Sequence, residues 1–229
     1  MEKLNKKNLY LTFDLDWADD FILDKTIEYL EKYNLKATFF VTHKSKLLNT
    51  LNKNKYEIAL HPNFIKNKKI SFEHFLYLKN IYPNAVGMRS HKLFFSSELL
   101  PILERNKITY ESNIFLFNHL NLSFVKRSKK IISIPFNWSD DKSIELQNSF
   151  TLKTFPLKNN QGLNIFNFHP IHIFLNSKSL SNYEKSKKYF NNQKLYNYIN
   201  KNNGIENLFL ILCKEIFTKR IKTSLLRNI

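Results

Sequence analysis

Only three glycines occur in 229 residues. That is too few for a glycine-rich phosphate cradle, and neither a P-loop nor a dinucleotide-binding fingerprint is present. A single cysteine, Cys213, excludes an internal disulfide framework and a cysteine-rich zinc site. No apolar run approaches the roughly 18 residues of a spanning helix. The N-terminal MEKLNKKNLY carries charges but no apolar stretch of the kind a secretion signal needs. The expectation is a soluble, cytoplasmic protein. Acidic residues are also short in number, 19 against 36 Lys and Arg, for a net charge of +17. Such a balance fits an anionic partner: nucleic acid, an acidic glycan or a membrane surface. The lysines are scattered, however, as in HKSKLLNTLNKNK and KNKK. No compact arginine stripe with interleaved aromatics marks a nucleic-acid face, so no specific nucleic-acid partner is expected.

What the chain does have is apolar mass. Hydrophobic residues make up 43%, with 21 Phe and 11 Tyr, enough for a sizeable core. Short β-prone runs alternate with helical periodicity. LYLTF (9–13), ATFFV (37–41), YEIAL (56–60), AVGM (85–88), KITYES (107–112) and LNIFNF (163–168) read as strands. DDFILDKTIEYLEKYN (19–34), SFEHFLYLKNIY (71–82) and SSELLPILERN (96–106) read as helices, with Asp19 and Asp20 as helix caps. Residues 113–160 give one strand, KIISIPF, among loops. Strands alternating with helices imply parallel βαβ units. The pattern changes near 180, where the chain turns helical and basic to its end. We divide it into an α/β domain, 1–180, and a C-terminal helical extension, 181–229, packed on the same domain. The apolar face of that basic extension has two uses, docking on the domain or a weak contact with a membrane surface.

Functional residues of parallel α/β proteins collect at the carboxyl ends of strands. The first strand here runs out into Asp14 and Asp16. Later strands end on His61, on Arg89 and His91, and on His169 with His172 close behind. If extended geometry continues past Phe13, Asp14 and Asp16 point the same way and Leu15 faces away. Asp and His suit a borderline divalent metal such as zinc. Such an ion lowers the pKa of a bound water to about 7. A second carboxylate can take the proton of the attacking water, an Arg beside it keeps it ionised, and a His opposite can protonate the leaving group. The set suffices for metal-assisted hydrolysis of an amide or ester. His43, His74 and His119 read as surface or helix histidines.

On these residues the sequence resembles the polysaccharide deacetylase superfamily (NodB homology, carbohydrate esterase family 4). The nearer likeness is to its divergent WbmS-like branch, found in bacterial surface-polysaccharide gene clusters. TFDLD resembles the first family motif, EIALHPNF the second, GMRSH the arginine motif and FNFHPIH the last. The resemblance covers about residues 8 to 175. It implies a distorted (β/α) barrel of about seven parallel strands, followed here by the C-terminal helices. It implies Asp14 as catalytic base, Arg89 as its partner and His169 as general acid. Asp16 and His61 become ligands of Zn²⁺ or another divalent metal. The substrate class implied is an N-acyl amino sugar, or a surface-glycan intermediate carrying one.

Two departures bear on the metal. The family's second motif has another His four residues after the first, where this chain has Ile65. His91 stands where the arginine motif normally has Pro and is the replacement ligand we choose, with His172 as the other candidate. Metal-free amide hydrolases also belong to the superfamily. The alternative to a zinc deacetylase is therefore a metal-independent hydrolase, or an inactive sugar-binding relative of the same fold.

Overall fold

The computed structural model describes residues 9–146, 149–157 and 161–229. The first half follows the expected alternation: β1 (Leu9–Asp14), α1 (Asp20–Lys32), β2 (Ala37–Val41), α2 (Lys46–Thr50) and β3 (Tyr56–Leu60). A hairpin, β4 (Ile65–Lys66) and β5 (Lys69–Ile70), precedes α3 (Glu73–Ile81), β6 (Gly87–Met88), α4 (Leu99–Arg105) and β7 (Tyr110–Glu111). Then come β8 (Val125–Lys126), β9 (Ile132–Ser133), β10 (Trp138–Ser139), α5 (Asp140–Glu145) and β11 (Asn164–Phe168). The chain finishes with α6 (Pro170–Phe174), α7 (Leu180–Ser186) and α8 (Ile205–Thr218). Asp19 caps α1 through the Asp20 amide, while the Asp20 carboxylate accepts from the Lys46 and Leu47 amides at the start of α2.

The main sheet has the order β10-β11-β1-β2-β3-β6-β7-β9-β8, parallel except for the last pair. Its two ends are held by one piece of chain. β9 pairs with β7 and β10 with β11, yet only residues 134–137 separate them. Flat, that span would be about 34 Å, seven strand spacings. The five residue steps from Ser133 to Trp138 reach at most about 18 Å. The sheet therefore curls into a distorted half-barrel. Counting 132–139 as one irregular strand, seven parallel segments line it.

Period-two alternation sorts the side chains. Leu11, Phe13, Phe39, Leu60, Phe166 and Phe168 face outward into the large core beneath the helices. Tyr10, Phe40, Ala59, Tyr110, Ile134, Phe136 and Ile165 form a second cluster inside the curl. The inward series run Tyr10–Thr12–Asp14, Glu57–Ala59–His61, Gly87–Arg89, Tyr110–Ser112 and Ile165–Asn167–His169. Each ends on a polar side chain at the carboxyl rim. Gly87 is needed in its series because a Cβ there would lie 1.9 Å from the Tyr110 ring.

Several elements went unread in the sequence. KIISIPF holds β9 as expected, but β8 and β10 have two residues each, too short for a periodic signal, and α5 starts directly from β10. α6 begins at Pro170, which suits a first helical turn because its missing N–H needs no partner there. The tail is a correction: the chain is not helical to its end. α8 stops at Thr218, Arg220 takes φ 52°, and the chain returns beside β1 through Leu9 N–H to the Lys222 carbonyl and Ser224 N–H to the Leu9 carbonyl. Leu226 joins the inner cluster, and the Leu226 and Arg227 amides donate to Thr38 and Glu57. The apolar face of α8, with Leu208, Phe209 and Leu212, is buried; Phe209 meets Phe13 and Phe168 at ring distances of 5.7 and 5.0 Å. Among the described residues no helix is long and apolar enough to cross a membrane.

The tail thus plugs the end of the curl opposite the polar rim, over buried Glu57. Burial raises the Glu57 carboxyl above its ordinary value, against hydrogen bonds from the Arg227 amide, Tyr110 and Thr38. The protonated form's contribution to stability is therefore full below about pH 4 and is lost as pH rises through the folded value. Glu57→Gln is expected to match the parent near pH 4 and to be the more stable of the two above neutrality. Urea unfolding across that range checks it; equal pH slopes for the two proteins would contradict it.

Candidate active site

The Arg89 guanidinium lies wholly buried inside the curl, between the Phe40 and Phe136 rings at 4.3 and 4.2 Å. Its Nε donates to the Ser112 carbonyl and its Nη2 to Ser112 Oγ. Nη1 faces Thr12 Oγ1 at 3.1 Å, Asp14 Oδ1 at 3.0 Å and Asn167 Oδ1 at 2.5 Å. The other Asp14 oxygen accepts from Asn167 Nδ2 at 2.9 Å. Burial pulls the Arg89 pKa down, and the Asp14 charge opposes that. Asp14 is thus oriented by two donors on two different strands.

Extended geometry does not carry on to Asp16. β1 ends at Asp14, and Asp16 and Trp17 adopt φ of 44° and 62°. Leu15 is buried, and the left-handed turn swings the Asp16 carboxylate across the rim. Its Oδ1 lies 3.1 Å from His61 Nε2 and 3.2 Å from His91 Nδ1. The ligand atoms of these three residues all lie within 4.8 Å of one another. His61 Nδ1 is 2.7 Å from the Arg89 carbonyl, an obligate acceptor, so Nδ1 carries the proton. In a neutral ring Nε2 is then bare, and a bare nitrogen facing a carboxylate oxygen needs a proton or a cation between them. The N, N, O donor set, with His61 oriented by a backbone carbonyl, fits a divalent metal of the zinc type. Ile65 supplies nothing here: it sits exposed on the hairpin, whose turn residues Asn67 and Lys68 have φ of 51° and 62°. Burial alone would raise the Asp16 carboxyl, but hydrogen bonds from His61 and His91 and the charge of His169 hold it well below the usual range.

His169 faces this group from the other side, its Nε2 3.8 Å from Asp16 Oδ2. Its Nδ1 is 2.7 Å from Asp140 Oδ1, and Asp140 Oδ2 accepts the His169 amide. Burial works against a charged ring, but Asp141, Asp140 and Asp16 outweigh it and raise the pKa well above the ordinary value. His169 is therefore a held cation with a proton to give. His172 lies outside the Asp16 group: its Nε2 is 2.7 Å from Asp141 Oδ1 and its Nδ1 2.9 Å from Ser177 Oγ.

The seven residues singled out in the sequence lie at one rim: the Asp14–Arg89 pair beneath two adjoining groups, Asp16 with His61 and His91, and His169 with His172. Thr12, Ser112, Asn167, Asp140 and Asp141 were not singled out. The first three are polar positions within or at the ends of strands, and only the Arg89 fork between them explains their presence. Asp140 and Asp141 follow a strand only two residues long; the pair DD after IPFNWS is the one signal that was there to read. His43 and His74 stay out of both groups; His74 bridges the Asn63 amide and the Thr42 carbonyl.

The family described as "WbmS-like: Polysaccharide deacetylase" matches residues 11–187. Among solved structures, WbmS of Bordetella bronchiseptica, assigned as a polysaccharide deacetylase involved in O-antigen biosynthesis, is 28% identical. The likeness covers 90% of each chain with a TM-score of 0.82. A protein of Mycobacterium smegmatis assigned as a polysaccharide deacetylase is 14% identical, with 98% of this chain and 95% of that one covered and a TM-score of 0.52. The Bc1960 peptidoglycan N-acetylglucosamine deacetylase is 13% identical, with 98% and 88% covered and a TM-score of 0.54. These last two likenesses concern the fold. No curated protein matches the chain in sequence.

Asp14 and Arg89 are a buried pair, so removing one partner strands the other. Asp14→Ala leaves the Arg89 cation between two phenyl rings without a counter-charge and is expected to lose about 3–5 kcal/mol of stability. Asp14→Asn, which keeps the shape and an acceptor, should lose distinctly less. Chemical denaturation of both variants decides; equal losses would show that the charge of Asp14 does not hold Arg89.

Proposed function

The chain belongs to the WbmS-like polysaccharide deacetylase family, hydrolases of carbon–nitrogen bonds other than peptide bonds, and from that premise we propose that it is a metal-dependent, cytoplasmic enzyme removing an acetyl group from an amino sugar of a bacterial surface polysaccharide or its precursor. The observation that carries this reading is the placement of the Asp16 carboxylate between two histidines on one side and the His169–Asp140 pair on the other. Asp16, His61 and His91 would hold the ion, with Zn²⁺ as first choice, and His91 in place of the histidine that Ile65 does not supply. A divalent ion there would polarise the acyl carbonyl and acidify a water.

The chain's own residues do the rest. Asp14, aimed by Arg89 and Asn167, takes a proton from the attacking water as its oxygen bonds to the acyl carbon. The carbonyl π pair moves to oxygen and returns as the C–N bond breaks. His169 Nε2 delivers its proton to the departing nitrogen, and Asp140 on Nδ1 keeps the ring charged and turned inward. The products are acetate and a free amino sugar. Trp17, exposed beside His91 with ring centroids 5.0 Å apart, offers an aromatic face to a sugar ring at the mouth. The relative involved in O-antigen biosynthesis supports the glycan class of substrate.

Acetate release from N-acetylated amino sugars tests the activity, and exhaustive chelation should abolish it with recovery on adding Zn²⁺. Full turnover after chelation would remove the metal from the mechanism. The acid role has its own test. His169→Ala is expected to lose roughly 10²–10⁴-fold on an amide. On an aryl acetate, whose phenolate leaves unprotonated, the loss should be far smaller. Equal losses on both substrates would deny His169 the role of acid.

A further inference from the structure

His172 and Asp141 have no part in the steps above, yet they sit against His169 in an ordered way. The ligand atoms of Asp141, His169 and His172 lie within 4.8 Å of one another. Both imidazoles present the same nitrogen to the same carboxylate. His169 Nε2 is 3.6 Å from Asp141 Oδ2, and His172 Nε2 is 2.7 Å from Asp141 Oδ1. Each ring is fixed from behind: His169 Nδ1 by Asp140 at 2.7 Å and His172 Nδ1 by Ser177 Oγ at 2.9 Å. A carboxylate or hydroxyl on the far nitrogen is the support that orients histidine ligands of metals. The two rings meet at 74° with centroids 5.6 Å apart, and both are buried. Asp141 is 51% exposed, so solvent reaches the group. Asp16 turns its Oδ2 toward His169 and its Oδ1 toward His61 and His91, so one carboxylate stands between the two donor sets.

We propose that Asp141, His169 and His172 form a second, weaker site for a divalent transition cation of the zinc class, adjoining the first across Asp16, and that filling it inhibits the enzyme. Two imidazoles and a carboxylate are the donor chemistry of such an ion. Affinity is lower than at the first group because the His172–Asp141 hydrogen bond must open, because His169 must release its Nε2 proton to solvent as the ion takes that lone pair, and because Asp141 stands in water. The binding claim stands on geometry alone. The inhibition rests on the function proposed above: with its Nε2 lone pair on an ion, His169 has no proton to deliver to the leaving nitrogen. The first increment of metal then activates and a further increment inhibits.

Calorimetric titration of the metal-free, full-length protein with Zn²⁺ and with Co²⁺ tests the site. The parent is expected to take up two equivalents in two separable phases. His172→Gln and Asp141→Asn should each keep the first phase and lose the second. Ser177→Ala, which removes no ligand atom but frees the far nitrogen of His172, should weaken the second phase alone by roughly 10-fold. Saturation of the parent at one equivalent would overturn the proposal, as would a second phase surviving in both donor variants. Acetate release followed through the same titration should rise over the first phase and fall over the second; a rate unchanged by the second phase would overturn the inhibition. Two phases in the parent and one in the variants uphold the site even where no sugar is turned over, so failure of the function reading is told apart from failure of this one.

Discussion

A guanidinium without water around it governs this protein. Arg89 is enclosed by Phe40 and Phe136, and its donors are taken up by Ser112, Thr12, Asp14 and Asn167 from three other strands of the curl. Taking such a cation out of water costs several kcal/mol and is offset only when geometry is good and every donor is met. The strands β1, β7 and β11 must therefore hold register around β6 for the charge to be tolerated. The same bonds leave Asp14 with a fixed direction and an ionised partner. Stability and the orientation of the base are one arrangement viewed from its two ends.

The curl is what allows this. Its parallel strands all direct their carboxyl ends to one rim, and the inward series of each strand finishes there on a polar side chain. At the other end the C-terminal tail closes the interior with Leu226 and with amides donated to Thr38 and Glu57. One end is thus sealed with apolar and hydrogen-bonded groups, and the other is open with titratable ones. Electrostatics sharpen the division: at the open rim His61, His91 and His169 hold the Asp16 carboxyl low, and Asp141, Asp140 and Asp16 hold the His169 imidazole high.

Asp16 is the hinge between two donor sets, and the backbone turn is what makes it so. Its left-handed conformation breaks the strand geometry that would have set it parallel to Asp14. It is turned across the rim instead, toward His61 and His91. Adopting positive φ is uncommon outside glycine, and two such residues in succession at a rim are a local strain that the surrounding contacts must hold. The Trp17 amide donates to Thr42 Oγ1 after β2, which is one such contact.

His61, Arg89 and His169 were legible because each follows a short, mainly apolar run, and a polar group at its end stands out against its own strand. Cys213 and the scarcity of glycine likewise settled from composition which chemistries were absent. Thr12, Asn167 and Ser112 were not legible, since a polar residue inside a strand has a purpose only when the charge opposite is known, and Arg89 is 77 positions from the first of them. Asp140 was hidden because β10 is two residues long and exists only through its pairing with β11. His91 was chosen over His172 from its place in the arginine motif, but its 3.2 Å approach to the Asp16 carboxylate depends on the tertiary structure. Sequence spacing places both near a strand end, but only the turn at Asp16 and the closing segment 132–139 determine which imidazole meets which carboxylate. Local pattern decides what a strand is and where it ends; the curl of the sheet, a long-range property, decides which ends meet.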